Sequence, residues 1–171
     1  MKKVILLAAT MPLALGLAAC EPTETDTVTE EVAESEVPDA QSVVESFYSA
    51  IGEGDMETVA GLLAEDVSWS EAESSPYAAG NPYVGFEAMG AGVFGPIGET
   101  FENFVGAPGQ YTAQDNRVVV EGRYLGTNRE TGEGLDAPFV HVFTVEDGKI
   151  ISFQQYTDTF QWRKLTGTLE D

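Results

Sequence analysis

Residues 139–159 read FVHVFTVEDGKIISFQQYTDT, two runs rich in β-branched and aromatic residues on either side of Asp147-Gly148. Asp-Gly is the dipeptide of a type I′ hairpin, because both central residues of that turn need positive φ. With Asp147 and Gly148 in the turn, Glu146 pairs with Lys149. A regular ladder then sets His141 against Gln154, Phe139 against Tyr156 and Ala137 against Asp158. One face of this hairpin carries Phe139, His141, Phe143, Ser152, Gln154, Tyr156 and Asp158. The other carries Val140, Val142, Thr144, Ile151, Phe153, Gln155 and Thr157. The first face mixes aromatics with convergent polar groups, the composition of a ligand pocket. The second suits packing or a subunit contact. A β-bulge would exchange the faces.

Upstream of the hairpin the period-two pattern continues through residues 104–105, 111–113, 118–126 and 137–145, with turn residues between the runs. Before them the period is helical. Asp39 can cap a helix whose apolar positions Val43, Val44, Phe47, Tyr48 and Ile51 form one stripe, with Gly52 and Gly54 at its end. Asp55 opens a second short helix with Val59, Leu62 and Leu63 on one face, and residues 67–70 read as a first strand. Residues 72–84 form a loop. Five glycines fall between 85 and 98, yet Phe86, Met89, Val93, Phe94 and Ile97 keep roughly helical spacing, which predicts one or two short helices. Residues 159–165 add a last helical turn or fray. Helices leading into a long meander predict an α+β domain, helices over one face of a curved antiparallel sheet.

The phrase VVESFYSAIGEGDMETVAGLLAEDVSW at 43–69 and the terminal hairpin with its DGKI turn resemble the SnoaL-like proteins of the nuclear transport factor 2-like superfamily, over residues 40–165. The resemblance implies a cone-shaped half-barrel with a pocket between the concave sheet and the helices, and often a dimer through the sheet's outer face. The superfamily holds ketosteroid isomerases, polyketide cyclases, limonene epoxide hydrolase, dehydratases and members with no chemistry, so function has to be argued from the site.

Asp158, at the end of the last strand, is the candidate proton shuttle, provided apolar walls raise its pKa. Tyr156 or His141 would polarise a substrate carbonyl beside it. The alternatives are a strand-end cap for Asp158 and a hydrogen-bonded, chemically silent role for His141. The two are not expected to touch, since Asp158 lies four residues beyond the partner of His141, about 13 Å along a strand. Trp69, Phe139, Phe143 and Gln154 are candidate ligand-binding residues, and Tyr48 is either pocket wall or core. The sequence departs from the enzymes it resembles. In the polyketide cyclases the last strand often reads like His-Trp-Asp, which places their acid near Gln155, and an amide cannot exchange a proton. The Asp–Arg–Asp arrangement of limonene epoxide hydrolase is absent, because Arg123 is followed two residues later by Leu125. Arg123 reads instead as half of a structural ion pair, with Glu121 or Gln155 as neighbours.

The chain of 171 residues carries 29 acids against eight bases, a net charge of −21, with one histidine and one cysteine. Few and scattered Lys and Arg exclude nucleic acid as a partner. One cysteine excludes an internal disulfide, and one histidine excludes a His-rich metal site. No cofactor is expected. Lys2, Lys3 and an apolar run over residues 4–19 read as a signal peptide, too short for a comfortable membrane span. Its end, Leu17-Ala18-Ala19-Cys20, resembles the lipobox of bacterial lipoproteins, which implies cleavage before Cys20 and lipidation of that cysteine. The alternative is an ordinary secretory signal. Glu21 in place of the aspartate that favours inner-membrane retention points to the outer membrane, facing the periplasm. Residues 21–39 hold eight acids and no base, a composition that cannot bury enough apolar surface to fold and reads as a solvated tether or an acidic docking tail. The expected divisions are a signal peptide at 1–19, a lipidated cysteine and linker at 20–39, and a folded domain at 40–171. That domain keeps 21 acids against six bases, a net of −15. Two functions of different class fit: a membrane-anchored domain binding a small, largely apolar ligand, or an isomerase-, cyclase- or dehydratase-like enzyme built on Asp158.

Overall fold

The computed structural model describes residues 38–169. Residues 1–19, read above as a signal peptide, Cys20 and almost all of the stretch read as a linker lie outside the described residues. Helix α1 (Ala40–Glu53) begins where Asp39 accepts hydrogen bonds from the Gln41 and Ser42 N–H groups, a cap that contributes about 1 kcal/mol. It buries Val43, Val44, Phe47 and Ala50, and it ends at Gly54, whose φ of 73° is the left-handed C-cap conformation. Asp55 then caps α2 (Met56–Leu62) by accepting from the Thr58 N–H, and the chain passes directly into β1 (Leu63–Ser70).

After a loop, β2 (Tyr83–Val84) leads into one continuous helical stretch: α3 (Gly85–Met89), a π-helical turn (Gly90–Phe94) and α4 (Gly95–Thr100). Packing explains two of the glycines around it. The Tyr83 ring lies against Gly80 and Gly92, where a Cβ would collide with it. The Tyr83 hydroxyl donates to the Tyr77 carbonyl at 2.7 Å.

The remaining strands are β3 (Phe101–Gln114), β4 (Arg117–Asn128), β5 (Gly134–Glu146) and β6 (Lys149–Thr157), followed by α5 (Thr159–Leu165). They form an antiparallel meander in a six-stranded sheet of order β2-β1-β6-β5-β4-β3. The α+β class is as expected, but the sheet is mixed, because β1 joins β6 in parallel, Trp69 beside Phe153 and Ser70 beside Gln154. Strand β3 is longer than the two runs expected within it. Register shifts at Glu102/Val105 and Pro108/Gln110 absorb extra residues and let one strand continue past Pro108 and Gly109.

In the hairpin, Asp147 and Gly148 have φ of 49° and 73°, as the type I′ turn requires. Glu146 pairs with Lys149 and Val145 with Ile150, but Thr144 then pairs with Ser152, leaving Ile151 as an extra residue. Beyond this bulge the expected register is displaced by one: His141 faces Gln155, not Gln154, and Phe139 faces Thr157, not Tyr156. The β6 half of each predicted face is therefore exchanged. Phe153 and Gln155 are buried on the side of Phe139, His141 and Phe143, while Tyr156 is 57% exposed. The cause is hydrophobic: Ile150 and Phe153 are both buried, and an odd spacing reaches one face of a period-two strand only through an extra residue. Asp158 lies past the end of the strand and caps α5 instead of pairing with Ala137.

Helix α1 packs against β3, β4, β5 and β6 and covers their inner face. Close approach of β3 to the aromatic layer of β5 depends on Gly122 in β4. A Cβ there would meet both the Phe139 ring and the Ala107 carbonyl. Gly122→Ala is expected to lower stability by about 1–3 kcal/mol, seen as a reduced urea midpoint at unchanged m. An unshifted midpoint would show that the strands have room to part.

Candidate functional site

Between α1, the helical stretch after β2 and the inner sheet face lies a cavity of about 300 Å³, at the lower end of the roughly 300–1,000 Å³ typical of small-molecule pockets. Phe47, Ile51, Trp69, Phe94, Phe104 and Phe153 supply most of its wall. The Trp69 and Phe153 rings stack at 3.6 Å, a direct result of the parallel β1–β6 register. Exposed Met56 and Gly98 also line the cavity and mark its mouth. Its polar groups are Tyr48, Glu71, Tyr124, His141 and Gln155.

Four of these form one hydrogen-bonded relay. His141 is buried, with Nδ1 at 2.6 Å from the Tyr48 hydroxyl and Nε2 at 2.5 Å from the Tyr124 hydroxyl. Burial pushes the imidazole pKa down to about 3, so the ring is neutral. A neutral imidazole has one donor and one acceptor nitrogen. One tyrosine therefore donates to the ring and the other accepts from it. Gln155 fixes the far end: its Oε1 accepts from the Ala72 N–H at 3.3 Å, and its Nε2 donates to the Tyr124 hydroxyl at 2.9 Å. Burial raises both tyrosine pKa values, so both phenols keep their protons.

The fifth group is a carboxyl. Glu71 is 2% exposed. It follows Trp69 by two residues, one past the end of β1, and both are buried on the inner side. Its Oε1 accepts from the Trp69 indole N–H at 2.8 Å, while Oε2 has no hydrogen-bond partner. Asn81 clamps the Glu71 backbone, accepting from its N–H at 2.9 Å and donating to its carbonyl at 2.7 Å. Burial pushes the carboxyl pKa up to about 7, against the opposing effect of the Trp69 hydrogen bond and of the neighbouring Gln155 amide. No Lys or Arg lines the cavity, so nothing from the protein neutralises the charge once the proton leaves. Among the described residues no cluster of His, Cys, Asp and Glu could hold a metal ion.

Of the residues singled out in the sequence, Trp69 and His141 line the cavity. Phe139 and Phe143 are buried behind the wall, Phe139 stacked on His141 at 3.9 Å and Phe143 edge-on to Phe47 at 5.7 Å. The bulge turns Gln154 and Tyr156 outward. The Asp158 carboxylate accepts from the Phe160 and Gln161 N–H groups and from Gln161 Nε2, which is the strand-end cap, and it is not on the cavity wall. Arg123 forms an ion pair, though with Asp136 at 2.6 Å and not with Glu121 or Gln155. Sequence reasoning passed over Glu71 and Tyr124. Both were accessible by extending the alternation Val67-Trp69-Glu71 and Val118-Val120-Gly122-Tyr124.

The comparisons with known proteins agree on the fold. An NTF2-like protein from Burkholderia thailandensis superposes with a TM-score of 0.71 at 26% identity, over 75% of this chain and 98% of its own. IdmH, described as a putative polyketide cyclase from Streptomyces antibioticus, matches with a TM-score of 0.63 at 18% identity, over 75% of this chain and 98% of its own. A protein of ketosteroid isomerase-like fold from Catenulispora acidiphila, solved in complex with trimethylamine, gives 0.61 at 17%, over 74% and 93%. The two at lower identity speak to fold alone. No functionally curated protein matches the sequence. The SnoaL-like domain model matches residues 44–153, most of the chain, including Tyr48, Glu71, Tyr124 and His141 but stopping short of Gln155, and by that match the protein belongs to the SnoaL-like domain family.

Proposed function

We propose that this protein is a membrane-tethered ligand-binding domain that takes a small, largely apolar molecule into the cavity between α1 and the sheet. The observation that carries it is the cavity itself: a preformed space walled by aromatic and aliphatic side chains, with its polar groups ordered by a closed relay. Pre-ordering of the relay lowers the entropy lost on binding. The tether belongs to the same proposal. Leu17-Ala18-Ala19-Cys20 and the acidic residues after it support a lipid anchor on Cys20, in the outer membrane and facing the periplasm. Exposed Val105, Leu125 and Tyr156 on the outer sheet face support a second copy of the chain as the partner there.

A second use of the cavity is favoured by one specific observation, the buried Glu71 carboxyl with an unpartnered oxygen. A carboxyl poised near pH 7 exchanges a proton with a substrate more readily than one at 4.5. Whichever of Tyr48 and Tyr124 accepts from His141 keeps its own O–H free and would donate it to a substrate oxygen. Proton transfer beside a carbonyl would then rest on Glu71 in place of Asp158.

A panel of small hydrophobic molecules is expected to contain ligands that stabilise the protein by about 2.7 kcal/mol at a concentration of 100 times Kd, read as a rise in Tm. Gly98→Phe, which places a ring at the cavity mouth where a Cβ meets nothing within 4 Å, should remove most of that rise. Absence of stabilisation across the panel would sink the binding proposal.

The state of Glu71 has its own signature. Its folded pKa is raised from 4.5 to about 7, so the folded form holds a proton that the unfolded form releases between those values, and stability is lost as pH rises through that window. Glu71→Gln removes the loss. Its unfolding free energy relative to the parent is expected to rise by about 3 kcal/mol between pH 4 and pH 8. His141 acts with the opposite sign, losing stability as pH falls from 6.5 towards 3, but equally in both proteins. A difference independent of pH would remove the basis for proton transfer by Glu71.

A further inference from the structure

The wall of the cavity contains one carboxyl and no Lys or Arg. Glu71 is faced by Tyr48 from α1, Tyr124 from β4, His141 from β5 and Gln155 from β6, and Tyr77 approaches from the loop before β2. None of these carries a positive charge, His141 being neutral. A buried carboxyl in that setting has two stable conditions: it keeps its proton, or a cation from outside sits against it. The unpartnered Oε2 leaves the second condition open.

The other walls suit a cation as well. Trp69, Phe94, Phe104, Tyr124 and Phe153 all line the space, and the negative face of an aromatic ring attracts an organic ammonium, most strongly where water is excluded. A compact, strongly hydrated ion gains little from such walls, whereas an ammonium bearing alkyl groups also buries apolar surface against them. Outside the cavity, the net charge of −15 on residues 40–171 raises the local concentration of cations and repels anions. Carboxyl, rings and field select the same sign of charge.

We infer that the cavity takes a small alkylammonium cation, tertiary or quaternary, with the Glu71 carboxylate as counter-ion and the rings of Trp69, Phe94, Phe104 and Phe153 as its cage. This rests on the cavity being a binding site, and it specifies the ligand's chemical class.

The test compares choline with its uncharged carbon isostere 3,3-dimethylbutan-1-ol by titration calorimetry on the full chain. Choline is expected to bind at least tenfold more tightly at pH 8, and Glu71→Gln should bring the two affinities close to each other. Choline has no proton to lose, so its affinity should follow ionisation of Glu71 alone, falling about thirtyfold from pH 8 to pH 5.5 for a carboxyl that titrates near 7. This pH series on the parent protein tests the same point if the variant does not fold. Isostere binding equal to or tighter than choline overturns the cation assignment and leaves the apolar pocket standing. Choline binding that neither Glu71→Gln nor acid pH weakens places the cation on the acidic surface and overturns it too. Failure of both compounds to bind counts against the pocket and the assignment together.

Discussion

Ile151 is the residue on which the interior depends. Side chains alternate across a strand, so inserting one residue between the Val145–Ile150 and Thr144–Ser152 pairs decides which half of β6 faces the helices. With the bulge, Phe153 turns inward and gives Trp69 a ring to stack on, and Gln155 turns inward below Tyr124. Without it, Phe153 and Gln155 would face outward and Gln154 and Tyr156 would enter the core. Strand β1 lies along β6 in parallel, so its inner side is built onto the same choice. The cavity wall, the end of the relay and the surroundings of Glu71 all follow from one unpaired residue close to the turn.

Within that frame the polar groups fall into two kinds. The relay from Tyr48 through His141 and Tyr124 to Gln155 has a partner for both imidazole nitrogens and for both ends of the amide. Such a network is rigid, because moving any member leaves a buried group unpaired. Its chemistry is accordingly quiet: a neutral imidazole with both nitrogens engaged has no free position for a ligand's proton. Glu71 is the opposite case, held firmly through its backbone by Asn81 but with half of its carboxyl unused. A fixed, internally paired relay on one side and one unsatisfied acid on the other give the cavity a direction, which would orient the proposed ligand without any large movement of the protein.

Local signals were read correctly where the physics is local. The caps Asp39 and Asp55, the Asp147-Gly148 turn and the alternation of β5 each depend on neighbours within a few residues. The bulge also had a signal, since Ile150 and Phe153 stand three apart in a strand, but choosing between a bulge and an exposed aromatic requires knowing that α1 covers that face. Strand β3 was hidden by Pro108 and Gly109, which a regular strand would not accept and a bulged edge strand does. The parallel contact of β1 with β6, like the pairing of Arg123 with Asp136 across β4 and β5, joins segments through register and leaves no mark in either segment alone.

The location of the acid follows from the same geometry. By resemblance to the polyketide cyclases, the acid of the last strand falls near Gln155, and in this chain that position is an amide. A carboxylate there would face the Ala72 N–H and the Tyr124 hydroxyl with acceptors only. It could keep the first contact but could no longer donate to Tyr124, whose hydroxyl would have to give its own proton to the carboxylate. An amide meets both neighbours at once, one end accepting and the other donating. The carboxyl stands instead just past the end of β1, where the Trp69 indole supplies one donor and the remaining oxygen is left over. The acid of this cavity thus meets the relay at its Gln155 end and through its field on Tyr124, while the two hydrogen bonds of the His141 ring go to Tyr48 and Tyr124 and not to the carboxyl.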